Sequence, residues 1–469
     1  MTRRTALLVA SLLLWITAAH AQVAPADGAQ RFTLEQALQY ALDHYPLVRA
    51  AVEQVNASAA GADIARSAYL PRFDSIWQTN RATANNVFGQ LLPQSVIPAL
   101  SGPVLSSPST QTAWGSAAGG LFLWEPVDFG LRGALVREAE AGVARARADE
   151  GLTRLTVQSS VGAAFLDVVA AQQGVATAAA DVERREVLGR AASTLADNQL
   201  RPGAEASRAG AELAAARTRA IQATQLLLVA QVRLERLMGV TAGAVEVSAA
   251  RLLDATVAAV PAPSPASPHP VIQSEQAALD LARARETVLS RTDRPRLYLQ
   301  SSVFARGSGA NPEGSFDGGA DGLGLERANW AAGVQVVFPN LFDLASLRAR
   351  RAAAGASTRA ESARYDEAVL TVGSQQRIAD AVVAAAVAIA RNTPVQLAAA
   401  QQSEAQARAR YQAGLASIVE VAEAQSLLAG AEVQDAVARV DVWRALLAQA
   451  AARGSLAPFI AALRGSGAP

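Results

Sequence analysis

The feature that most restricts the fold of this chain is a stretch of about 70 residues without proline, from Phe129 to roughly Asn198. Alanine, arginine, glutamate, leucine and valine dominate it, so the pattern predicts one continuous helix. At about 1.5 Å per residue, that helix would be on the order of 100 Å long. No ordinary globular domain needs such a rod, so the sequence predicts long helices packed side by side.

The long helix belongs to a pattern that occurs twice in the chain. Each copy has two short strands followed by a helical hairpin, and equivalent prolines keep a constant spacing, since Pro270 and Pro295 lie 224 residues after Pro46 and Pro71. The predicted strands cover about 69–81 and 113–124 in the first copy and about 294–306 and 329–338 in the second. The predicted hairpins cover about 129–238 and 344–453.

The termini and the linker complete the predicted organisation. A signal peptide is predicted over 1–21, where two arginines precede an apolar run from Ala6 to Ile16 and the cleavage site Ala19-His20-Ala21. The apolar run is shorter than the ~20 residues that span a bilayer, so a membrane anchor is not predicted here. We expect the first repeat over 22–260, a Pro-rich linker over 261–270, the second repeat over 271–453 and a C-terminal tail over 454–469. No later segment is expected to reach the length and hydrophobicity of a transmembrane helix, so a membrane crossing would use strands.

The chemistry that the sequence lacks excludes several classes of protein. The chain has no cysteine, so neither a lipid anchor on cysteine nor a disulfide can form. Only His44 and His269 follow the leader, and no metalloprotease, nucleophile-elbow or phosphate-loop motif occurs. The net charge is +1 and no basic block suggests nucleic acid. We therefore expect no enzyme, cofactor or metal; an envelope glycosidase with paired carboxylates is the enzymatic alternative.

Four strands in one chain are too few to close a barrel, which needs about eight. An open sheet edge cannot sit in lipid, so the chain must share strands with its neighbours, and three copies would supply twelve. The loops at about 82–112 and 307–328 would then face outward. Trp77, Trp124 and Trp330 are candidates for the interfacial aromatic belt of such a barrel, with ordinary strand packing as the alternative.

Three sequence motifs carry a family resemblance. They are Phe32-Thr33-Leu34-Glu35-Gln36-Ala37-Leu38, Tyr69-Leu70-Pro71 and Tyr411-Gln412-Ala413-Gly414-Leu415, the last followed by Glu420-Val421-Ala422-Glu423. Together with the internal repeat, they show that the sequence resembles the TolC-like outer-membrane efflux proteins over essentially its whole mature length. The resemblance implies a mainly α fold with a small β part, in which antiparallel coiled-coil helices form an α-helical barrel below a trimeric 12-stranded transmembrane β-barrel.

The resemblance also implies the partners and the location. A homotrimer would sit in outer-membrane lipid with its helices in the periplasm, and would meet a periplasmic adaptor (membrane fusion) protein and an inner-membrane pump. The helical turns predicted to dock the adaptor contain Arg201, Pro202, Gly203 and Glu205 in the first copy and Tyr411, Gly414 and Leu415 in the second.

In that family, two acidic residues after the Tyr-x-x-Gly turn ring the periplasmic mouth, and Glu420 and Glu423 occupy those positions. Six carboxylates in a trimer would favour cations. The alternative is a pair of solvated acids favoured by a helix N-terminus. The first copy has Glu205 but Arg208 at the corresponding positions, and Ala416 stands where a basic residue helps to lock the mouth in the best-known member.

These features predict an outer-membrane channel subunit of a tripartite efflux or type I secretion system, which acts as a passive gated exit duct. The alternative is a periplasmic coiled-coil scaffold of the cell envelope that forms no pore. The exported substrate is not readable from the chain.

Overall fold

The computed structural model describes residues 30–83, 111–240, 245–248, 252, 268–309, 315, 319–339 and 343–465. The predicted signal peptide, most of the Pro-rich linker and the loop 84–110 lie outside these ranges. The helices are α1 (Leu34–His44), α2 (Pro46–Ser67), α3 (Leu131–Asp197), α4 (Gly203–Met238), α5 (Pro270–Leu289), α6 (Leu344–Gln412), α7 (Ile418–Ala452) and α8 (Ala457–Gly465). The strands are β1 (Gln30–Phe32), β2 (Arg72–Thr83), β3 (Thr112–Val127), β4 (Val245–Val247), β5 (Arg296–Ser308) and β6 (Arg327–Val337).

The chain divides into two compact units, and α2, α3 and α6 contribute residues to both. One unit comprises 50–153 and 267–373 and contains the four-stranded sheet. The other comprises 1–49, 154–266 and 374–469 and contains the helical turns.

The large sheet is antiparallel and has the strand order β2-β3-β5-β6. Each repeat supplies one neighbouring pair, and the repeats join where β3 pairs with β5, with Gly120 opposite Val303. Within the described residues β2 and β6 pair on one side only, so one chain leaves two open edges. The sequence placed these four strands within three residues of their observed bounds, and it missed the short parallel pair of β1 and β4.

One face of this sheet is apolar and exposed. Side chains on one face alternate along each strand, and the register brings the same face of neighbouring strands together. The exposed apolar residues on this apolar face are Phe73, Trp77, Phe122, Trp124, Val303, Trp330, Val334 and Val336. The opposite face carries Asp74, Gln78, Gln300 and Gln335. An exposed apolar face on a sheet is the pattern that lipid-facing strands require.

The helical unit has a continuous hydrophobic core. Leu38 of α1, Phe165 of α3, Leu234 of α4 and Trp443 of α7 are fully buried in it. The segment 454–469, predicted as a C-terminal tail, contains α8, whose Phe459 is buried with its ring 6.2 Å from that of Trp443. The apolar helix α8 therefore covers this end of the core.

Two helices depart from the sequence predictions. Helix α6 continues through Pro394, although proline removes one backbone hydrogen bond and was expected to disturb the helix. The adjacent Thr393 hydroxyl donates to the buried Asp435 of α7 at 3.0 Å, and this contact stabilises the helix at this point. By length and composition alone, α3 and residues 345–412 of α6 are also apolar enough to cross a membrane. The expectation that no later helix reaches that hydrophobicity was therefore wrong by this measure, because alanine and valine concentrate in parts of both helices.

Candidate channel mouth at the helical turns

Both helical hairpins reverse direction through the same backbone motif. Gly414 adopts a left-handed conformation with φ +76°, and the Leu415 N–H donates to the Arg410 carbonyl at 2.8 Å. In the first copy Gln199 has φ +57°, and the Leu200 N–H donates to the Leu195 carbonyl at 2.9 Å. A left-handed residue just after the helix satisfies the last free carbonyls, and glycine does so without steric cost.

This motif fixes which residues of the two turns correspond. Gln199 and Gly414 are 215 residues apart, the same spacing as Glu205 and Glu420. Arg201 therefore stands where the second copy has Ala416. The basic residue that is absent from the second turn is present in the first.

Arg201, Glu205 and Tyr411 form a turn cluster that joins the two hairpins. The Tyr411 hydroxyl donates to Glu205 Oε2 at 3.2 Å, and the Arg201 guanidinium lies 5.2 Å from the centre of the Tyr411 ring. Arg201 Nη1 lies 3.7 Å from Glu205 Oε1. These three residues were predicted from the sequence to dock the adaptor, but their contacts with one another were not predicted. The 215-residue spacing between the two turns was the sequence signal that could have aligned them.

The cluster also controls the ionisation of the tyrosine. Burial, and then the negative charge of Glu205, raise the pKa of the Tyr411 hydroxyl above its ordinary value, while Arg201 opposes the shift. Tyr411 is only 5% exposed. The hydroxyl therefore keeps its proton at neutral pH and can donate to the Glu205 carboxylate.

Glu420 has a structural role that the sequence only partly indicated. It closes a capping box at the start of α7, since the Ser417 N–H donates to Glu420 Oε1 at 3.2 Å and the Ser417 hydroxyl accepts from the Glu420 N–H. Arg410 Nη2 lies 3.9 Å from its other oxygen, and about half of the Glu420 side chain is exposed. Glu423 is exposed one turn further along the same helix face.

The tips of both turns expose large apolar side chains. Leu200 and its equivalent Leu415 are each about 70% exposed, and Pro202 and Gly203 beside Leu200 are also exposed. An exposed leucine at each hairpin tip is a natural anchor for another protein. Leu415 was named from the sequence, whereas Leu200 was missed.

The three tryptophans lie on the apolar face of the sheet at different heights. The rows through Trp77, Trp330 and Trp124 cross β5 at Ala305, Val303 and Leu299. The outer two rows are thus six residues apart, or about 20 Å along the strand, and the row of Trp330 lies two residues from that of Trp77.

Within the described ranges, no group of three or more His, Asp and Glu side chains is arranged to hold a metal ion. Near the turns, Arg201, Glu205 and Tyr411 form the turn cluster, and Glu420 closes the capping box beside Arg410.

Comparison with solved structures identifies similar folds. The Campylobacter jejuni CmeC outer membrane channel aligns with a TM-score of 0.72 at 16% identity, over 90% of this chain and 85% of that one. The Vibrio cholerae outer membrane protein VceC gives 0.70 at 16%, over 90% and 96%. The open state of the Neisseria gonorrhoeae MtrE outer membrane channel gives 0.66 at 18%, over 90% and 89%. At these identities, the likeness shows the fold.

No curated protein matched the sequence. The sequence profile of the outer membrane efflux protein family matches residues 37–240 and 266–455, one segment for each repeat. The two matched segments cover most of the chain, and they contain the sheet, both hairpins and the turn cluster described above. The chain therefore belongs to the outer membrane efflux protein family.

Proposed function

We propose that this chain is one of three identical subunits of a passive, gated duct that carries substrates from the periplasm through the outer membrane. The observation that carries the proposal is the four-stranded sheet, which has an exposed apolar face and two edges that pair on one side only. Edges of this kind are satisfied in lipid only by closure into a barrel. A neighbouring subunit on each edge would supply that closure.

The same proposal covers the partners. An inner-membrane pump would supply the energy, and a periplasmic adaptor would grip the hairpin tips, where Leu200 and Leu415 are exposed on neighbouring turns. We propose export through a cleaved signal peptide over 1–21, with no lipid anchor, because the chain has no cysteine. No catalytic step is assigned to this chain.

Conductance across a planar lipid bilayer tests the duct directly. The detergent-purified protein is added to the bilayer, and its oligomer mass is taken from the same preparation. Discrete conductance steps from a trimer are expected. A monomer that never inserts would instead support the periplasmic scaffold.

The apolar face of the sheet gives a sharper test of membrane insertion. Val303→Arg places a charge on that face, between the rows of Trp77 and Trp124, and is expected to cost about 2–4 kcal/mol near mid-membrane, lowering the yield of outer-membrane trimer at least tenfold. Gln300→Arg, on the polar face of the same strand, is the matched control and should leave the yield nearly unchanged. Equal yields for the two variants would mean that the sheet does not face lipid. Trimer in isolated outer membranes is measured by gel electrophoresis.

The acidic pair at the start of α7 is proposed to line the mouth as a ring. Replacing Glu420 and Glu423 together by glutamine is expected to reduce cation selectivity, measured as the reversal potential in a salt gradient. Glutamine can still close the capping box, so the change removes charge and keeps the helix start. Glutamine at Glu53 and Glu367, two exposed acids elsewhere, is the control. An unchanged reversal potential in the Glu420/Glu423 variant would eliminate the ring.

A further inference from the structure

A pocket beside the turn cluster has features of a ligand site. It lies between α3 and α6, with α7 at its base, and has a volume of about 650 Å³, within the range of small-molecule sites. Its apolar wall is formed by Val187, Leu188, Leu195 and Leu200.

Two buried polar side chains line this pocket and have hydrogen-bonding capacity left over. Glu404 is 6% exposed and Gln425 is 3% exposed, and among the residues that the structure describes the Oε1 atom of each has no hydrogen-bond partner. Both residues occupy positions of the buried helix seam at which coiled coils normally have apolar side chains. Leaving a buried acceptor unpaired is costly, so two of them in one pocket indicate a missing donor.

The register of α6 and α7 places these two residues opposite each other. Thr393 pairs with Asp435, and Gln396 pairs with Gln434 at 2.8 Å. Eleven residues further along α6 from Thr393 is Glu404, and ten residues back along α7 from Asp435 is Gln425. A single donor group between the two helices could therefore serve both oxygens.

The charges around the pocket favour a cation. Arg184 is held by both oxygens of Glu432 at 3.0 and 2.7 Å, although its buried Nε has no hydrogen-bond partner among the described residues, and Arg201 belongs to the turn cluster. Arg408 is exposed and lies 3.9 Å from Glu404, too far for a hydrogen bond. The exposed Glu183 adds a further carboxylate to the wall.

We propose that this pocket binds a small amphiphilic organic cation that carries N–H donors. Its ammonium group donates to Glu404 Oε1 and Gln425 Oε1, and its apolar body lies along the leucines and the valine of the opposite wall. A charged N–H paired with a buried carboxylate is the stronger kind of hydrogen bond. Arg201 and Tyr411 also line the pocket, so the ligand sits beside the turn cluster. The proposal does not depend on channel activity.

The test measures binding of the probe 4-(trifluoromethyl)benzylammonium to the detergent-purified full-length protein. Fluorine NMR detects the bound probe. Its N,N,N-trimethyl analogue has the same charge and no N–H donor. The wild-type protein is expected to bind the primary ammonium at least tenfold more tightly than the analogue. Equal affinity for the two probes would show that only charge or detergent partitioning is measured, and it would overturn the proposal.

Two variants locate the site. Glu404→Gln removes the carboxylate, and Ala191→Phe fills the pocket from the α3 side and leaves Glu404 unchanged; each is expected to weaken binding of the primary ammonium at least tenfold. Glu53→Gln is the control and should bind like the wild type. Circular dichroism shows whether each variant is folded. If Glu404→Gln does not fold, Ala191→Phe still tests the site. Binding that survives in the folded pocket variants, or that is lost only in the Glu420/Glu423 variant, would refute the site.

Discussion

If the turn cluster holds the mouth closed, as we propose, Tyr411→Phe is expected to shift the closed–open equilibrium of the channel toward the open state by a factor of about a thousand or more. The change removes the hydroxyl that donates to Glu205 at 3.2 Å. A hydrogen bond to a charged group contributes about 1.5–3 kcal/mol. Three subunits that open together would lose it three times, which gives the thousandfold estimate. Open probability in single-channel recordings measures the shift.

Tyr365→Phe is the matched control for this change. It removes a hydroxyl from the same helix, α6, at a half-buried position away from the turn cluster. Its open probability should equal that of the wild type. If Tyr411→Phe also behaves like the wild type, the turn cluster does not hold the mouth closed, whatever its contribution to folding.

The pH dependence of the wild-type channel follows from the raised pKa of Tyr411. The folded protein holds the phenolic proton more tightly than the unfolded chain does, whose tyrosines titrate at about pH 10. The contribution to stability is therefore complete below about pH 10 and is lost as the pH rises through the raised pKa. Conductance is expected to stay constant up to about pH 9 and to increase only above about pH 10, and Tyr411→Phe should lack that increase.

Arg185→Ala is expected to lower the free energy of unfolding by about 1.5–3 kcal/mol, since it removes buried hydrogen bonds to charged groups, while Asp181 keeps its ion pair with Arg219 at 3.0 Å. Arg185 is 2% exposed and donates to Asp181 at 3.0 Å, Glu212 at 2.8 Å and Ser426 at 3.0 Å. These contacts connect α3 with α4 and with α7. Urea unfolding in detergent, followed by circular dichroism, measures the change.

Arg217→Ala provides the comparison for Arg185→Ala. Arg217 is mostly exposed and its ion pair is with Glu186, at 2.7 Å. Such a surface pair is screened by solvent, so its loss should change the free energy of unfolding much less than the loss of the buried network. Similar losses for the two alanine variants would mean that burial does not increase the contribution of the Arg185 network.

The long hairpins and the strand pairs were predictable because their patterns are local. The proline-free run predicted α3, and alternation of side chains placed the four strands within a few residues of their bounds. The capping box at Ser417 and Glu420 also rests on residues three apart. In each case the physical cause, helix propensity, side-chain periodicity or a cap, acts within one or two turns of the chain.

The turn cluster and the pocket depended on distant contacts. Tyr411 meets Glu205 across 206 residues, and no local pattern indicates that pairing. The last helix illustrates the same limit, because helical spacing alone does not indicate that Gln425 and Asp435 are buried while Val433 is 41% exposed.

The sequence by itself determined the class of this protein: a duplicated unit of long helices and paired strands, too few to close a barrel alone. Periodicity and composition carry that information, since they act on neighbouring residues along the chain. Only the tertiary structure decided which side chains of the two repeats meet, and so which residues hold the turns together and which acceptors remain unpaired. Packing of α3, α4, α6 and α7 makes those choices, because it sets the register between helices that are hundreds of residues apart in the sequence.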